Sequence, residues 1–147
     1  MRKKFKRNLM ILLGAVLILS VSVWSYVERN MLGDVRHVRR QSDVSAIYTP
    51  AEIEAAMDTA IRHFRAEFGG SRLLEIIYDE EKSLLQSDEW AAQYAADQAI
   101  VLYSAFEVRS EDNWTTGLEP GETYRGWSWI LVRNENGPWQ LKTWGYG

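Results

Sequence analysis

The chain has 147 residues, of which 46% are hydrophobic and 25% charged, a balance typical of globular proteins that excludes wholesale disorder. It contains no cysteine, which excludes disulfides, thiolate metal ligands, cysteine nucleophiles and lipid attachment through an N-terminal cysteine. Residues 43–147 hold 18 Asp and Glu against 8 Lys and Arg, a net charge of -10, so this part would repel phosphate backbones and no nucleic-acid partner is expected.

The N-terminus combines a basic segment with a long apolar one. Residues 1–8 carry five Lys and Arg and no acid, and residues 9–27 carry no charge. As a helix, residues 9–27 would span roughly 28 Å, close to the hydrocarbon core of a bilayer. The basic segment favours a cytoplasmic N-terminus, so we expect a single-pass helix in the cell membrane and an extracytoplasmic C-terminal part. Cleavage as a signal peptide near Ser20-Val21-Ser22 is the alternative. Trp24 and Tyr26 favour a retained helix, because such residues anchor helices at the membrane interface.

Residues 28–47 are polar and show no sustained apolar period. They predict a membrane-proximal tether. Its basic side chains either contact anionic lipid headgroups or are only solvated, and the sequence leaves both interpretations open for Arg36, His37, Arg39 and Arg40.

The folded domain is expected over residues 48–147, and it opens with the clearest helix signal of the chain. Thr49 precedes Pro50, Glu52 completes a capping box, and Tyr48 is placed to pack on Ile53. An apolar stripe follows, and two glycines, Gly69 and Gly70, mark its end. The stripe consists of Ile53, Ala56, Met57, Ala60, Ile61, Phe64 and Phe68. We therefore predict a helix from Pro50 to Phe68 that lies across a sheet.

Downstream segments indicate strands and a second helix. Residues 73–78 predict a strand with Leu74, Ile76 and Tyr78 on one face, and Ser87 predicts the start of a helix that continues to Ala95. Residues 98–109 predict a strand, and residues 110–122 a polar loop. One face of that strand holds Ile100, Leu102, Phe106 and Val108. Helices followed by consecutive strands indicate an α+β fold with an antiparallel sheet.

Residues 123–147 predict a β-hairpin around the turn-forming cluster at residues 134–137. Four of the seven tryptophans lie here: Trp127, Trp129, Trp139 and Trp144. Its first strand is apolar on both faces, which is typical of an interior strand, so we expect the hairpin at the centre of the sheet.

Strict alternation divides the first hairpin strand into two faces. One holds Tyr124, Gly126, Ser128, Ile130 and Val132, and the other Trp127, Trp129 and Leu131. The small residues of the first face would allow a helix to approach closely. We therefore expect the tryptophans to face outward with Val101 and Tyr103, under a partner protein or a second copy of the domain. In the alternative arrangement they face inward and line a pocket.

No catalytic or metal-binding motif is present, and we expect no metal and no cofactor. Asp79, Glu80 and Glu81 either bind a hard cation or form a solvated turn, and consecutive acids favour the turn. Asp97 either acts as a general base or caps a turn through backbone N–H groups, which we favour. His63 lies roughly 100° from the centre of the apolar stripe, a position that favours a solvated side chain.

The aromatic residues are the best indication of a binding site. Six of them would suffice to line an apolar cavity with polar tips: Tyr78, Trp90, Tyr94, Tyr103, Trp127 and Trp129. The other interpretation is that these side chains form the core, because aromatic residues dominate small α+β cores.

Several segments together resemble a family of small bacterial exported or membrane-anchored domains of unknown function. The most specific are ADQAIVLYSAFEV and the tryptophan-rich end of the chain, and the resemblance covers residues 48–147. It implies the nuclear transport factor 2-like (NTF2-like, cystatin-like) fold, a curved antiparallel sheet that cradles helices, often around a conical pocket. It implies no catalytic residue.

Three functions follow as hypotheses, one of which is an assembly role in which the sheet pairs with another subunit. The first is a membrane-anchored, extracytoplasmic ligand-binding or protein-interaction domain, supported by the apolar N-terminal helix and the missing catalytic motif. The alternative is an enzyme that uses Asp97 and Tyr103 as acid and base in a conical pocket.

Overall fold

The computed structural model describes residues 2–109 and 117–146. Helix α1 (Arg2–Asn30) projects from the rest of the chain, and its segment Lys4–Glu28 is 0% buried and is long and apolar enough to cross a membrane. Trp114 and most of the predicted polar loop lie outside the described residues.

The domain is built on an open, five-stranded mixed sheet. Its strand order is the chain order, with β1 parallel to β2 and the remaining neighbours antiparallel. The strands are β1 (Arg39–Ser42), β2 (Ser71–Tyr78), β3 (Gln98–Val108), β4 (Thr123–Arg133) and β5 (Gln140–Gly145). Together with three helices this is an α+β architecture, which confirms the predicted class.

Helix α2 (Pro50–Glu67) has the predicted start. The Thr49 hydroxyl accepts a hydrogen bond from the backbone N–H of Glu52, and the Glu52 carboxylate accepts one from the backbone N–H of Thr49. Both donors would otherwise be unpaired at the helix N-terminus. Gly70, at φ 72°, follows the C-cap Phe68. The predicted stripe is buried along its whole length, so α2 packs on the sheet as expected.

Helix α3 (Glu80–Gln93) begins seven residues before the predicted start at Ser87. Asp79 is its N-cap and accepts a hydrogen bond from the backbone N–H of Lys82. The acids interpreted as a turn therefore form the cap and first turn, where carboxylates are favoured by the helix dipole. Ser87 instead lies buried in the helix, on the face turned toward the sheet.

The predicted hairpin is formed by β4 and β5. Gly137 donates a backbone hydrogen bond to the carbonyl of Asn134 (2.8 Å), and the two residues between them have φ of 50° and 56°. Positive φ at both central positions matches the twist of the flanking strands. Strand β4 is interior, as predicted, but the hairpin is not the centre of the sheet, because β3 is the middle strand and β5 an edge.

The predicted grouping of Trp127, Trp129 and Leu131 on one face of β4 is confirmed, but a bulge moves Tyr124 to that same face. Register shifts there: Trp127 pairs with Ser104, and Arg125 with Ala105, which leaves Gly126 unpaired at φ 72°. Tyr124 consequently shares a face with Trp127. Trp129 lies opposite Leu102 in the core, so the two tryptophans face α2 and the prediction of an outward tryptophan face is wrong.

Part of the predicted tether belongs to the domain. Strand β1 pairs with residues Glu75–Tyr78 of β2, and Asp34 exchanges backbone hydrogen bonds with Ser71 (2.8 Å) and Leu73 (3.0 Å). Gly33 donates to the carbonyl of Arg65 (2.9 Å) and is buried. The connection from α1 to the packed chain is therefore short.

Candidate functional site

The six aromatic residues of the predicted cavity are separated by the sheet. Tyr78, Trp127 and Trp129 lie on the α2 face, within or against the core. Tyr103 lies on the opposite face, since its strand neighbour Leu102 is in the core. The remaining two, Trp90 and Tyr94, belong to α3 and its C-cap. The structure thus does not bring the six together in one cavity.

On the α2 face, the aromatic side chains fill the space between helix and sheet. Trp129 is 0% exposed and donates its indole N–H to the Ser104 hydroxyl (2.8 Å). The rings of Phe64 and Phe68 lie 6.4 and 5.5 Å from it, and Phe106 lies 5.4–5.5 Å from both of those rings, all centroid to centroid. These side chains act as the core, as the second interpretation held. The Trp127 indole N–H is buried and has no hydrogen-bond partner within the described residues.

Tyr78 closes the same face beside the start of α3. Its hydroxyl donates to the Glu80 carboxylate and lies 3.4 Å from the Ser45 hydroxyl. Burial, reinforced by that carboxylate, raises the pKa of Tyr78 well above its ordinary value, so the phenol stays protonated.

On the sheet face covered by α3, the predicted site residues contact that helix or belong to it. The Tyr103 hydroxyl accepts a hydrogen bond from the Gln86 amide (2.9 Å), and the Lys82 ammonium lies 5.8 Å from its ring centroid. Trp90 and Tyr94 stack with centroids 6.1 Å apart. These contacts join α3 to β3 or lie within α3, so they are explained by the packing of the helix on the sheet.

Asp97 caps the hairpin turn, as favoured from the sequence. Its carboxylate accepts a hydrogen bond from the backbone N–H of Glu135 (2.9 Å), while its own N–H donates to the Asn134 side chain (2.9 Å). Asp97 precedes β3, whereas Tyr103 lies six residues along the chain, a separation of about 20 Å in extended backbone. The structure therefore does not bring Asp97 and Tyr103 together.

His63 is half-buried, whereas a solvated side chain was predicted. Its ring lies 4.1 Å from the Trp144 ring, because β5 covers that flank of α2, and its Nε2 is buried without a partner among the described residues. Desolvation lowers the pKa of His63 and favours the neutral ring. The described residues include no group of three His, Asp or Glu that could hold a metal ion.

An open groove that the sequence did not predict lies between α2 and the β4–β5 turn. Its volume is about 460 Å³. The helix contributes Ala51, Glu52, Ala55, Asp58, Thr59 and Arg62, and the hairpin contributes Arg133, Asn136, Gly137, Pro138 and Trp139. We call this the turn groove. It combines apolar walls with charged groups of both signs, the make-up of many binding sites.

Arg133 holds the base of the turn groove in place. Its side chain is 4% exposed, donates to the Glu52 carboxylate and the Gln98 amide (2.6 Å each), and stacks on Trp139 with 4.3 Å from guanidinium carbon to ring centroid. Trp139 in turn donates its indole N–H to the Glu52 carbonyl (2.9 Å). The buried charge of Arg133 is thus both paired with a carboxylate and hydrogen-bonded, as a buried charge requires.

The hydrogen bond from the Thr49 backbone, together with Arg133, lowers the pKa of Glu52 to about 2. The carboxylate is therefore ionised at neutral pH and neutralises Arg133. Arg62, by contrast, has an exposed side chain whose guanidinium donates to the Thr59 hydroxyl (2.9 Å). It is the cation in the groove best placed to meet an incoming group.

Sequence reasoning missed this site because its parts are 81 residues apart in the chain (Glu52 to Arg133). The available signals were an arginine at the end of an apolar strand and a Pro-Trp pair directly after the turn. Neither signal indicates its partner.

Comparison of the chain with protein-family models, curated proteins and solved structures finds no match.

Proposed function

We propose that this protein is a single-pass, membrane-anchored domain that binds a partner protein or ligand outside the cytoplasm, through the turn groove. The observation that carries the proposal is the groove itself: a base built on the buried, ion-paired Arg133, apolar walls and an accessible Arg62. An open groove suits a loop or peptide segment of a protein better than a small molecule, which is usually enclosed.

Membrane anchoring is supported by α1. Its apolar residues form the largest run of exposed hydrophobic side chains in the described chain, and none of the Lys4–Glu28 segment is buried against the domain. Such a surface is stable in a bilayer and not in water. The basic residues at positions 2–7 favour retention of this end in the cytoplasm.

We also propose an NTF2-like relationship for the domain. It is supported by the antiparallel run from β2 to β5, the bulges in that run, and the packing of α2 on one face. Bulges bend strands and curve a sheet. The additional parallel strand β1 is a departure from the predicted purely antiparallel sheet.

The cysteine-free sequence permits a direct test of topology. Single cysteines at Lys4 and Ala92, both exposed, are labelled with a membrane-impermeant maleimide in intact cells. We expect A92C to react and K4C to react only after permeabilisation. Labelling of K4C alone in intact cells would reverse the proposed orientation, and a mature N-terminus near Val23 by mass spectrometry would replace the anchor by a cleaved signal.

Binding in the turn groove is tested by site-specific photo-crosslinking. A photoreactive residue at Ala55, in the groove, is compared with one at Glu89, on the exposed side of α3. We expect a discrete adduct from position 55 that is lost with Arg62→Glu and absent from position 89. Equal adducts from both positions would contradict a groove-specific interaction.

A further inference from the structure

The ends of α1, α2 and β3 meet the starts of β2 and β4 at one end of the domain, which we call the anchor-side end. Backbone N–H groups of Gly33, Asp34 and Arg109 donate to the carbonyls of Arg65, Ser71 and Gly70 (2.8–2.9 Å), and the N–H of Val108 donates to the carbonyl of Glu122 (3.0 Å). Glu28, in the last turns of α1, lies 3.4 Å from Arg65 near the end of α2. A helix buried in the bilayer up to this point brings Arg65 to the level of the lipid headgroups.

The anchor-side end also carries a small aromatic cluster outside the core proper. Tyr124, Trp127 and Tyr146 contact one another with centroids 5.2–6.4 Å apart, and Phe68 lies 6.1 Å from Trp127. Tyr146 is 61% exposed. Trp and Tyr rings with one apolar and one polar side are enriched at the level of the headgroups.

Arginine–carboxylate ion pairs cluster at the anchor-side end. Its ion pairs join four arginines to three carboxylates within 4 Å: Arg36, Arg65, Arg72 and Arg109 with Glu28, Asp34 and Glu107. Phosphate groups of a phospholipid surface are suitable further partners for those of these arginines that remain exposed.

A cavity lies where α1 joins the domain. Its volume is about 200 Å³, and it is lined by Ser25, Glu28, Gly33, Asp34, Arg36 and Arg65. Arg36 pairs there with Asp34 and Arg65 with Glu28, but the two guanidinium side chains stay 73% and 42% exposed and open to lipid phosphate oxygens.

From these observations we infer that the anchor-side end rests on the bilayer that α1 spans, with Tyr124 and Tyr146 in the interface and Arg36 and Arg65 at the phosphates. The inference depends on the proposed membrane anchoring. It adds that the domain is held against the lipid rather than suspended above it.

The full chain in phosphatidylcholine–phosphatidylethanolamine vesicles tests the contact. Single cysteines at Tyr146 and Thr123 report on the anchor-side end, one at Asn136 on the opposite end, and one at Trp24 on the anchor; each carries an environment-sensitive fluorophore. Lipids with a nitroxide near the top of the acyl chain should quench the probes at 146 and 123 at least about threefold more than the probe at 136, because the interface is only several ångströms deep.

The outcomes separate this inference from the anchoring itself. Quenching at position 24 with none at 146 and 123 would overturn the lipid contact and leave the anchor intact. Probes at 146 and 123 shielded from both lipid quencher and aqueous iodide would overturn it in favour of a protein contact. Absence of quenching at position 24 would refute the membrane anchor, and the inference with it.

Discussion

Replacing Phe64 by alanine tests the central packing of the domain. Phe64 is 0% exposed and stacks on Phe68 at 4.7 Å, with Phe106 at 5.5 Å. Removing a buried phenyl group costs about 3–5 kcal/mol through lost transfer energy and the remaining cavity. The neighbouring rings are fixed on α2 and β3 and cannot collapse fully, so we expect the upper half of that range.

The loss is large relative to a total stability of about 5–15 kcal/mol. Residues 31–147, which include all packed segments, would be unfolded in urea and by heat; a melting temperature lower by roughly 12 °C or more is expected. Leu85→Ala is the matched control, because Leu85 is 78% exposed, and it should change stability by no more than about 0.5 kcal/mol. A loss under about 1 kcal/mol for Phe64→Ala would refute the docking of α2 on the sheet.

Three further predictions concern the start of the domain and its pH response. A fragment of residues 43–147 should melt at lower temperature than residues 31–147, because it lacks β1 and the Gly33–Asp34 contacts; equal melting would contradict their role. Gly33→Ala should cost about 1–3 kcal/mol in urea, since the added Cβ would lie 2.5 Å from a backbone oxygen of α2. Glu52 has a depressed folded pKa, so its stabilisation is present above 4.5 and lost as pH falls toward about 2; Glu52→Gln, but not Glu89→Gln, should flatten acid unfolding in that window.

Local signals account for what the sequence predicted well. The start of α2 requires only neighbouring residues, Thr49 to Glu52, to satisfy the first N–H groups of the helix. The alternation of β3 likewise needs no partner to be recognised, and its face from Ile100 to Val108 is in the core. Both features are determined within a few residues.

The errors arose where a distant partner or a single bulge decides the outcome. Strand β1 has the composition of a solvated segment, and only its pairing with β2 makes it a strand. In β4, one glycine bulge at Gly126 changes which residues share a face with Tyr124. Alternation separated the two tryptophans correctly from Ser128, Ile130 and Val132, but the small residues beside Tyr124 favoured the wrong face for the helix.

The candidate site was beyond local reasoning for a related reason. Aromatic residues are equally suited to a core and to a cavity wall, so their number in the sequence does not distinguish the two. The sheet, once formed, placed Trp129 and Tyr103 on opposite faces. The turn groove depends instead on an ion pair between the first turn of α2 and the end of β4.

The sheet separates the two proposed surfaces by its full height. The turn groove lies where β3 begins and β4 ends, beside Gln98 and Arg133, whereas the anchor-side end lies where β3 ends at Val108. Eleven extended residues of β3 span about 35 Å, so the groove would face away from the bilayer. A domain resting on the lipid would thus present the groove at a fixed height to proteins in the same compartment. The two surfaces should then respond independently: Arg62→Glu should abolish crosslinking from position 55 without changing lipid quenching at Tyr146. If Arg62→Glu abolished both the crosslinking from position 55 and the lipid quenching at Tyr146, the two surfaces would not be independent, and a single partner would cover both ends.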